Sequence, residues 1–238
     1  MKALILNSGI GKRMGELTSK HPKCMTDIGK EETIISRQLK LLQQCGITEI
    51  VITTGPFDKV LVDYCNSLNL IMHYTFVKNP IYSKTNYIYS IYLAKQYLND
   101  DIVLMHGDLV FELCVLNDVI KNSNSCMTVS STIPLPQKDF KAVVKDTLIE
   151  KVGIEFFDNA LAAQPLYKIN KKDWGVWLNQ IISYCQKGQV SCYAEKAFNE
   201  VSDICHIYPM DFTNYLCAEI DTPEDLIEVK KMLNKLKF

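Results

Sequence analysis

The sequence predicts an α/β protein, a mainly parallel sheet flanked by helices with a smaller β-hairpin and helical elaboration. Residues 1–130 alternate short apolar runs with helical stripes, the arrangement of βαβ units joined by right-handed crossovers. That alternation breaks after Pro134 and Pro136, where a hairpin signal begins. With 238 residues, 47% of them hydrophobic, the chain can bury one substantial core.

Strands are predicted near residues 2–7, 48–53, 71–77, 101–106 and 125–131, each a short apolar run. Between them Ile34, Ile35, Leu39, Leu41 and Leu42 form a helical stripe that Gly46 ends. Val60, Leu61, Tyr64, Cys65 and Leu68 form another, and Tyr89, Tyr92 and Leu93 share core-like spacing. Ala142 to Val144, the polar turn Lys145-Asp146-Thr147, and Leu148 to Phe157 predict the hairpin. Residues 171–187 predict a helix whose Trp174 and Trp177 are explained by burial, and 204–210 a further strand. Thr222-Pro223-Glu224-Asp225 supplies a cap, a proline at the first helical position and first-turn acids for a helix running to about Leu236.

The net charge of −1 provides no general attraction to nucleic acid or to an anionic membrane, so any phosphate chemistry must come from a local cluster. The opening strand lacks the long apolar region of a signal peptide, and no run reaches the roughly 18 apolar residues of a membrane span. A cytoplasmic location is expected. Nine cysteines without any C-x-x-C pair predict reduced, partly buried thiols rather than a zinc site. Cys24, beside Lys23, reads as a packing residue rather than an activated thiol.

One local cluster does exist. Residues 3–23 run from the first strand into a glycine loop, in which Gly9 and Gly11 let backbone amides face an anion. Lys12, Arg13 and Lys23 add the cations that a polyphosphate needs. A dinucleotide loop is excluded because Arg13 sits inside the turn and the third glycine is displaced to Gly15. A P-loop is excluded because the position five before Gly11 is Leu6 and Lys12 is followed by Arg13. Taken alone, the loop could still be a surface turn with scattered cations.

Asp101 to Asp108 is a second buried-type run, delivering Gly107-Asp108 to the strand's carboxyl end, where open α/β sheets bind ligands. Asp221 stands just before the capped C-terminal helix. Two such acids suit Mg²⁺, which takes few protein carboxylates alongside phosphate oxygens and water. Each also has a plainer reading, as a turn residue or a helix-terminal acid.

The combination Gly9-x-Gly11-x-Arg13, Thr18 and Pro22-Lys23 resembles the signature of nucleotidyltransferases that make nucleoside-diphosphate sugars and CDP-alcohols. The resemblance implies a Rossmann-like mixed sheet, with the loop Leu6, Asn7, Ser8, Gly9, Ile10, Gly11 and Lys12, together with Gly107, around the nucleotide. It implies Arg13 and Lys23 as the catalytic cations stabilising the departing pyrophosphate, and Asp108 and Asp221 as the Mg²⁺ ligands. Asn7-Ser8 departs from the pair of small residues usual there.

The run Asn79 to Ser90 is similar to the matching segment of phosphocholine and aminoethylphosphonate cytidylyltransferases, which implies CTP, with Tyr82, Thr85, Asn86 and Ser90 near the nucleotide. The implied acceptor is a small phosphorylated or phosphonylated amine or amino acid, phosphocholine, 2-aminoethylphosphonate or phosphoglutamine, used to decorate a capsule or surface glycan. Glu155, Phe157, Tyr193 and Glu195 are its candidate contacts, rings and acids suited to an ammonium. The expected division is a nucleotide-binding core (1–132), an acceptor elaboration (133–215), and the metal acid with its helix (216–238). A sugar-1-phosphate nucleotidyltransferase and a non-catalytic nucleotide-binding subunit remain as alternatives. No nucleic-acid or membrane partner is expected, and a homodimer stays open.

Overall fold

The computed structural model describes residues 1–236. In chain order it contains β1 (Lys2–Leu6), β2 (Asp27–Gly29), β3 (Glu32–Thr33), α1 (Ile34–Gln44), β4 (Glu49–Thr54), α2 (Asp58–Ser67) and β5 (His73–Lys78). There follow α3 (Tyr87–Ala94), β6 (Ile102–His106), β7 (Leu109–Phe111), α4 (Leu113–Lys121), β8 (Cys126–Ser130), β9 (Lys141–Lys145) and β10 (Leu148–Gly153). The chain ends with β11 (Ala160–Ile169), α5 (Lys171–Gln186), α6 (Ala194–Phe198), β12 (Tyr208–Asp211), β13 (Cys217–Glu219) and α7 (Pro223–Lys235).

β1 lies between β6 and β4 in a mixed sheet ordered β10-β9-β11-β6-β1-β4-β5, with β8 pairing β11 and β12. β1 runs parallel to β4 and β6, and β4 parallel to β5, whereas β11 is antiparallel to β6, β8 and β9. A strand covered on both faces must be apolar on both. Leu4 and Leu6 accordingly enter the core that holds Trp174 and Trp177, while Ala3 and Ile5 enter the one that holds Leu39 and Phe111.

The helix termini follow their local chemistry. α1 starts with a capping box between Thr33 and Ser36, and α7 with one between Thr222 and Asp225, Pro223 opening the helix. α5 is fixed by both indoles, Trp174 Nε1 donating to Leu98 O and Trp177 Nε1 to Ala194 O, each at 2.9 Å. Among the described residues, no helix is long and apolar enough to cross a membrane.

Several expectations need correction. The second hairpin arm stops at Gly153 rather than Phe157, and the strand expected at 204–210 is β12 at Tyr208–Asp211. β11, which joins the later segment to the central sheet, went unpredicted because its alanines and Pro165 argue against an interior strand. Its ladder with β8 is irregular between Ala163 and Tyr167, so Pro165 sits where the pairing already breaks.

Candidate active site

The site begins where the chain leaves β1 at the carboxyl edge of the sheet. The Asn7 N–H donates to both Thr53 O (3.2 Å) and Thr53 Oγ1 (3.1 Å), holding the loop against β4. Two glycines flank it. A Cβ on Gly55 would stand 2.4 Å from the Ser8 carbonyl oxygen, and one on Gly107 would stand 1.6 Å from Asn7 Oδ1. Gly11 then turns the chain with φ near +69°, a conformation that favours glycine. Thr18 Oγ1 donates to Gly11 O at 3.2 Å, which ties the far end of the motif back to the loop.

Asp108 and Asp221 meet through pairing remote in sequence. β7 and β13 form an antiparallel pair, and the Ile220 N–H donates to Asp108 O at 3.0 Å, bringing Asp221 beside Asp108. Lys23 Nζ bridges the two carboxylates, 2.7 Å from Asp108 Oδ2 and 2.5 Å from Asp221 Oδ1. Arg13, more than half exposed, reaches Asp221 Oδ2 at 2.8 Å. Burial opposes charge on Lys23, yet the two acids outweigh it and raise the ammonium's pKa. Burial likewise pushes Asp108 up, and Lys23 overrides this to hold the carboxyl below its usual range. Four groups from three segments thus form one ion cluster.

The cluster faces a cleft of two connected lobes, about 350 and 170 Å³, which share Leu6, Gly9, Asn86, Tyr87, His106 and Asp108. The larger lobe holds Gly11, Lys12, Arg13, Lys23 and Asp221, together with Lys138, Asp139, Phe140, Tyr193 and Glu219. The smaller adds Ser8, Asn79, Tyr82, Thr85 and Ser90 and contains no lysine or arginine. Asn79 organises that lobe, its Nδ2 donating to Thr85 Oγ1 and Ser90 Oγ at 3.0 Å. Asn86 caps α3, its side chain accepting from the Tyr87 N–H at 2.7 Å.

Three aromatic rings gather in the larger lobe. Tyr193 packs against Tyr87 and Phe140 with centroids 5.7 and 5.2 Å apart, and the His106 imidazole lies 4.8 Å from the Tyr87 ring. His106 Nδ1 pairs with Glu219 Oε1 at 3.0 Å. Burial, reinforced by Asp108, pushes the Glu219 carboxyl up to about 7. Burial works against a charged His106, but the Glu219 contact raises the imidazole overall.

Most residues named from sequence therefore converge, with four exceptions. Ile10 does not line either lobe. Glu155 and Phe157 lie outside the lining as well, because β10 ends before them; the Phe157 ring instead sits 4.1 Å beneath the buried Lys141 ammonium. Glu195 is 1% exposed, and its two oxygens accept from the Tyr87 and Tyr167 hydroxyls, so it supports the wall behind the ring cluster. Sequence reasoning missed Tyr87, His106, Lys138, Asp139, Phe140 and Glu219. His106 had a usable signal: two positions before Asp108 at the end of a strand, it points to the same edge.

A family model, the MobA-like NTP transferase domain, matches residues 3–135, more than half the chain. The chain belongs to the MobA-like NTP transferase family. Among curated relatives of this NTP transferase, CMP-5'-(3-aminopropyl)phosphonate synthase of Streptomyces rubellomurinus is 33% identical over 116 residues, 49% of this chain and 18% of that protein. CTP:phosphoglutamine cytidylyltransferase of Campylobacter jejuni is 34% identical over 122 residues, 48% of this chain and 47% of that one. The match thus spans less than half the length of either relative. Choline-phosphate cytidylyltransferase of Streptococcus pneumoniae is 29% identical over 241 residues, 98% of each chain. A solved structure of CTP:phosphocholine cytidylyltransferase from Streptococcus pneumoniae superposes with a TM-score of 0.78 at 20% identity, again over 98% of each chain. That likeness establishes the Rossmann-like mixed fold.

Proposed function

We propose that this NTP transferase is a CTP:phospho-acceptor cytidylyltransferase, joining the cytidylyl group of CTP to a small phosphorylated or phosphonylated amine or amino acid and releasing pyrophosphate. The observation that carries it is the cluster of Arg13, Lys23, Asp108 and Asp221 at the mouth of a glycine loop, facing both a lobe without lysine or arginine and a lobe of rings and acids. A nucleoside suits the first lobe, and the triphosphate and acceptor suit the second.

An oxygen of the acceptor phosphate attacks the α-phosphorus, the new P–O bond forms as the bond to the β-phosphate bridging oxygen breaks, and that oxygen leaves with pyrophosphate. The attacking oxygen is already anionic at neutral pH, so no protein base is required. The protein must hold two repelling anions in line and offset their charge, and Lys23 and Arg13 are placed for that. Asp108 and Asp221 supply hard oxygen donors, and Asp108 Oδ1 is buried without a hydrogen-bond partner among the described residues, which fits a divalent cation. Mg²⁺ held by these two acids would neutralise charge on the α-phosphate and the departing pyrophosphate.

Acceptor choice follows from the ring cluster. Tyr87, Phe140 and Tyr193 with Asp139 and Glu219 suit an ammonium group, through cation–π attraction and opposite charge. The relatives acting on phosphoglutamine and choline phosphate support the same class. Incubating the enzyme with each of the four ribonucleoside triphosphates, Mg²⁺ and a panel of phospho-amines, phosphonates and sugar phosphates, and measuring pyrophosphate, tests the reading. Release should require CTP and an amine-bearing acceptor; release only with a sugar phosphate would refute it.

A further inference from the structure

Buried side-chain atoms with no hydrogen-bond partner among the described residues fall into two groups. Thr26, Gln38, Tyr74 and Gln164 do not line the cleft, whereas Asn7 Nδ2, Ser8 Oγ, His106 Nε2 and Asp108 Oδ1 belong to residues that do. His106 and Asp108 already pair with charged neighbours. Asn7 and Ser8 make no such pair, and each is only 7% exposed.

Their burial is enforced from behind. The carboxamide of Asn7 rests on Gly107, where its Oδ1 occupies the space a Cβ would need, and the backbone of Ser8 rests on Gly55 in the same way. The Asn7 carboxamide is thus hemmed in by Gly107 and the Ser8 backbone is fixed against Gly55, and an unpaired buried amide or hydroxyl destabilises a fold. Asn7 lines the larger lobe and Ser8 the smaller, at the loop that joins them.

We propose that Asn7 and Ser8 are a nucleoside-reading pair, Ser8 Oγ hydrogen-bonding the edge of the base in the smaller lobe and Asn7 Nδ2 donating to a ribose oxygen at the seam between the lobes. The inference rests on the nucleotide-binding reading above but not on which base is taken. The triphosphate meets the loop amides and the cations, and the nucleoside meets this pair. Free protein carries the unpaired groups as a standing cost, and a bound nucleoside satisfies them.

Ser8→Ala and Asn7→Ala, titrated calorimetrically with CTP and with inorganic tripolyphosphate, provide the test, with the melting temperature of the free protein as a second readout. Each variant should bind CTP about tenfold more weakly, the loss of one well-placed hydrogen bond, and bind tripolyphosphate as wild type does. Free Ser8→Ala, which loses only one unpaired atom, should melt no lower than wild type. Unchanged CTP affinity, or equal losses for both ligands, would overturn the pair's role, as would a lower melting point in free Ser8→Ala. If wild type takes another nucleoside triphosphate in place of CTP, the cytidylyl reading fails and the same comparison is made with that nucleotide; if it binds none, both proposals fall.

Discussion

Gly55→Ala offers a demanding perturbation because nothing soft stands in its way. The added Cβ would lie 2.4 Å from the Ser8 carbonyl oxygen, 2.9 Å from its carbonyl carbon and 3.1 Å from its Cα, all backbone atoms. To restore even a tight contact the Ser8 carbonyl must retreat by about 0.6–1.0 Å, and the glycine loop moves with it. Overpacking of this kind costs about 1–3 kcal/mol, a fall in Tm of several degrees for a chain of this size. The effect on turnover should be larger, since a displacement near 1 Å of groups that position a reacting phosphate can cost about 100-fold. Pyrophosphate release under saturating CTP and acceptor, beside a thermal melt, measures both. Gly175→Ala in α5, where an added Cβ meets nothing within 4 Å, controls for the bare substitution. Wild-type kcat and Tm in Gly55→Ala would refute the claim that this glycine fixes the loop.

Lys23→Ala removes the cation shared by Asp108 and Asp221 and should lower kcat by at least about 100-fold with a smaller effect on CTP binding; equal, modest effects on both would make Lys23 structural. Burial pushes Cys65 and Cys205 up to about 12 and Cys126 to about 11, and raises Cys24 and Cys217 too, so these five thiols should resist alkylation of the native protein at pH 8. Intact-mass counting checks this, and rapid labelling at Cys24 would contradict it. Burial raises the Asp211 carboxyl, but hydrogen bonds from Ser131 and Thr213 outweigh it and hold the group below its usual range. A depressed folded-state pKa stabilises above the unfolded pKa and is lost as pH falls. Asp211→Asn should therefore melt below wild type at pH 7, and the difference should close as the pH drops below about 4; a gap independent of pH would contradict that.

What could be read from the residues was what local chemistry determines. The β1 run, the glycine turn and the Thr222-Pro223 cap declare themselves within a few positions, and so did Arg13, Lys23, Asp108 and Asp221 as groups suited to phosphate and metal. Their meeting was not local: Asp221 reaches Asp108 through the three-residue pairing of β13 with β7, too short to leave a periodic signal. β11 was hidden because Pro165 and its alanines argue against an interior strand unless the irregular ladder is known. Glu195 reads from sequence as an acid for the acceptor's ammonium, but α6 carries it beneath Tyr87 and Tyr167, a placement no local pattern announces. Phe140 and Asp139 stand in a stretch that sequence marks only as a break between strands.

The central claim is direct transfer of a cytidylyl group to a phosphate or phosphonate oxygen, and ³¹P NMR of the complete reaction tests it most directly. With CTP, Mg²⁺ and a phospho-amine, the account predicts a new diphosphate diester growing in step with pyrophosphate, one for one, as the CTP resonances decline. Pyrophosphate accompanied by CMP, or CTP unchanged with every amine-bearing acceptor, would contradict it.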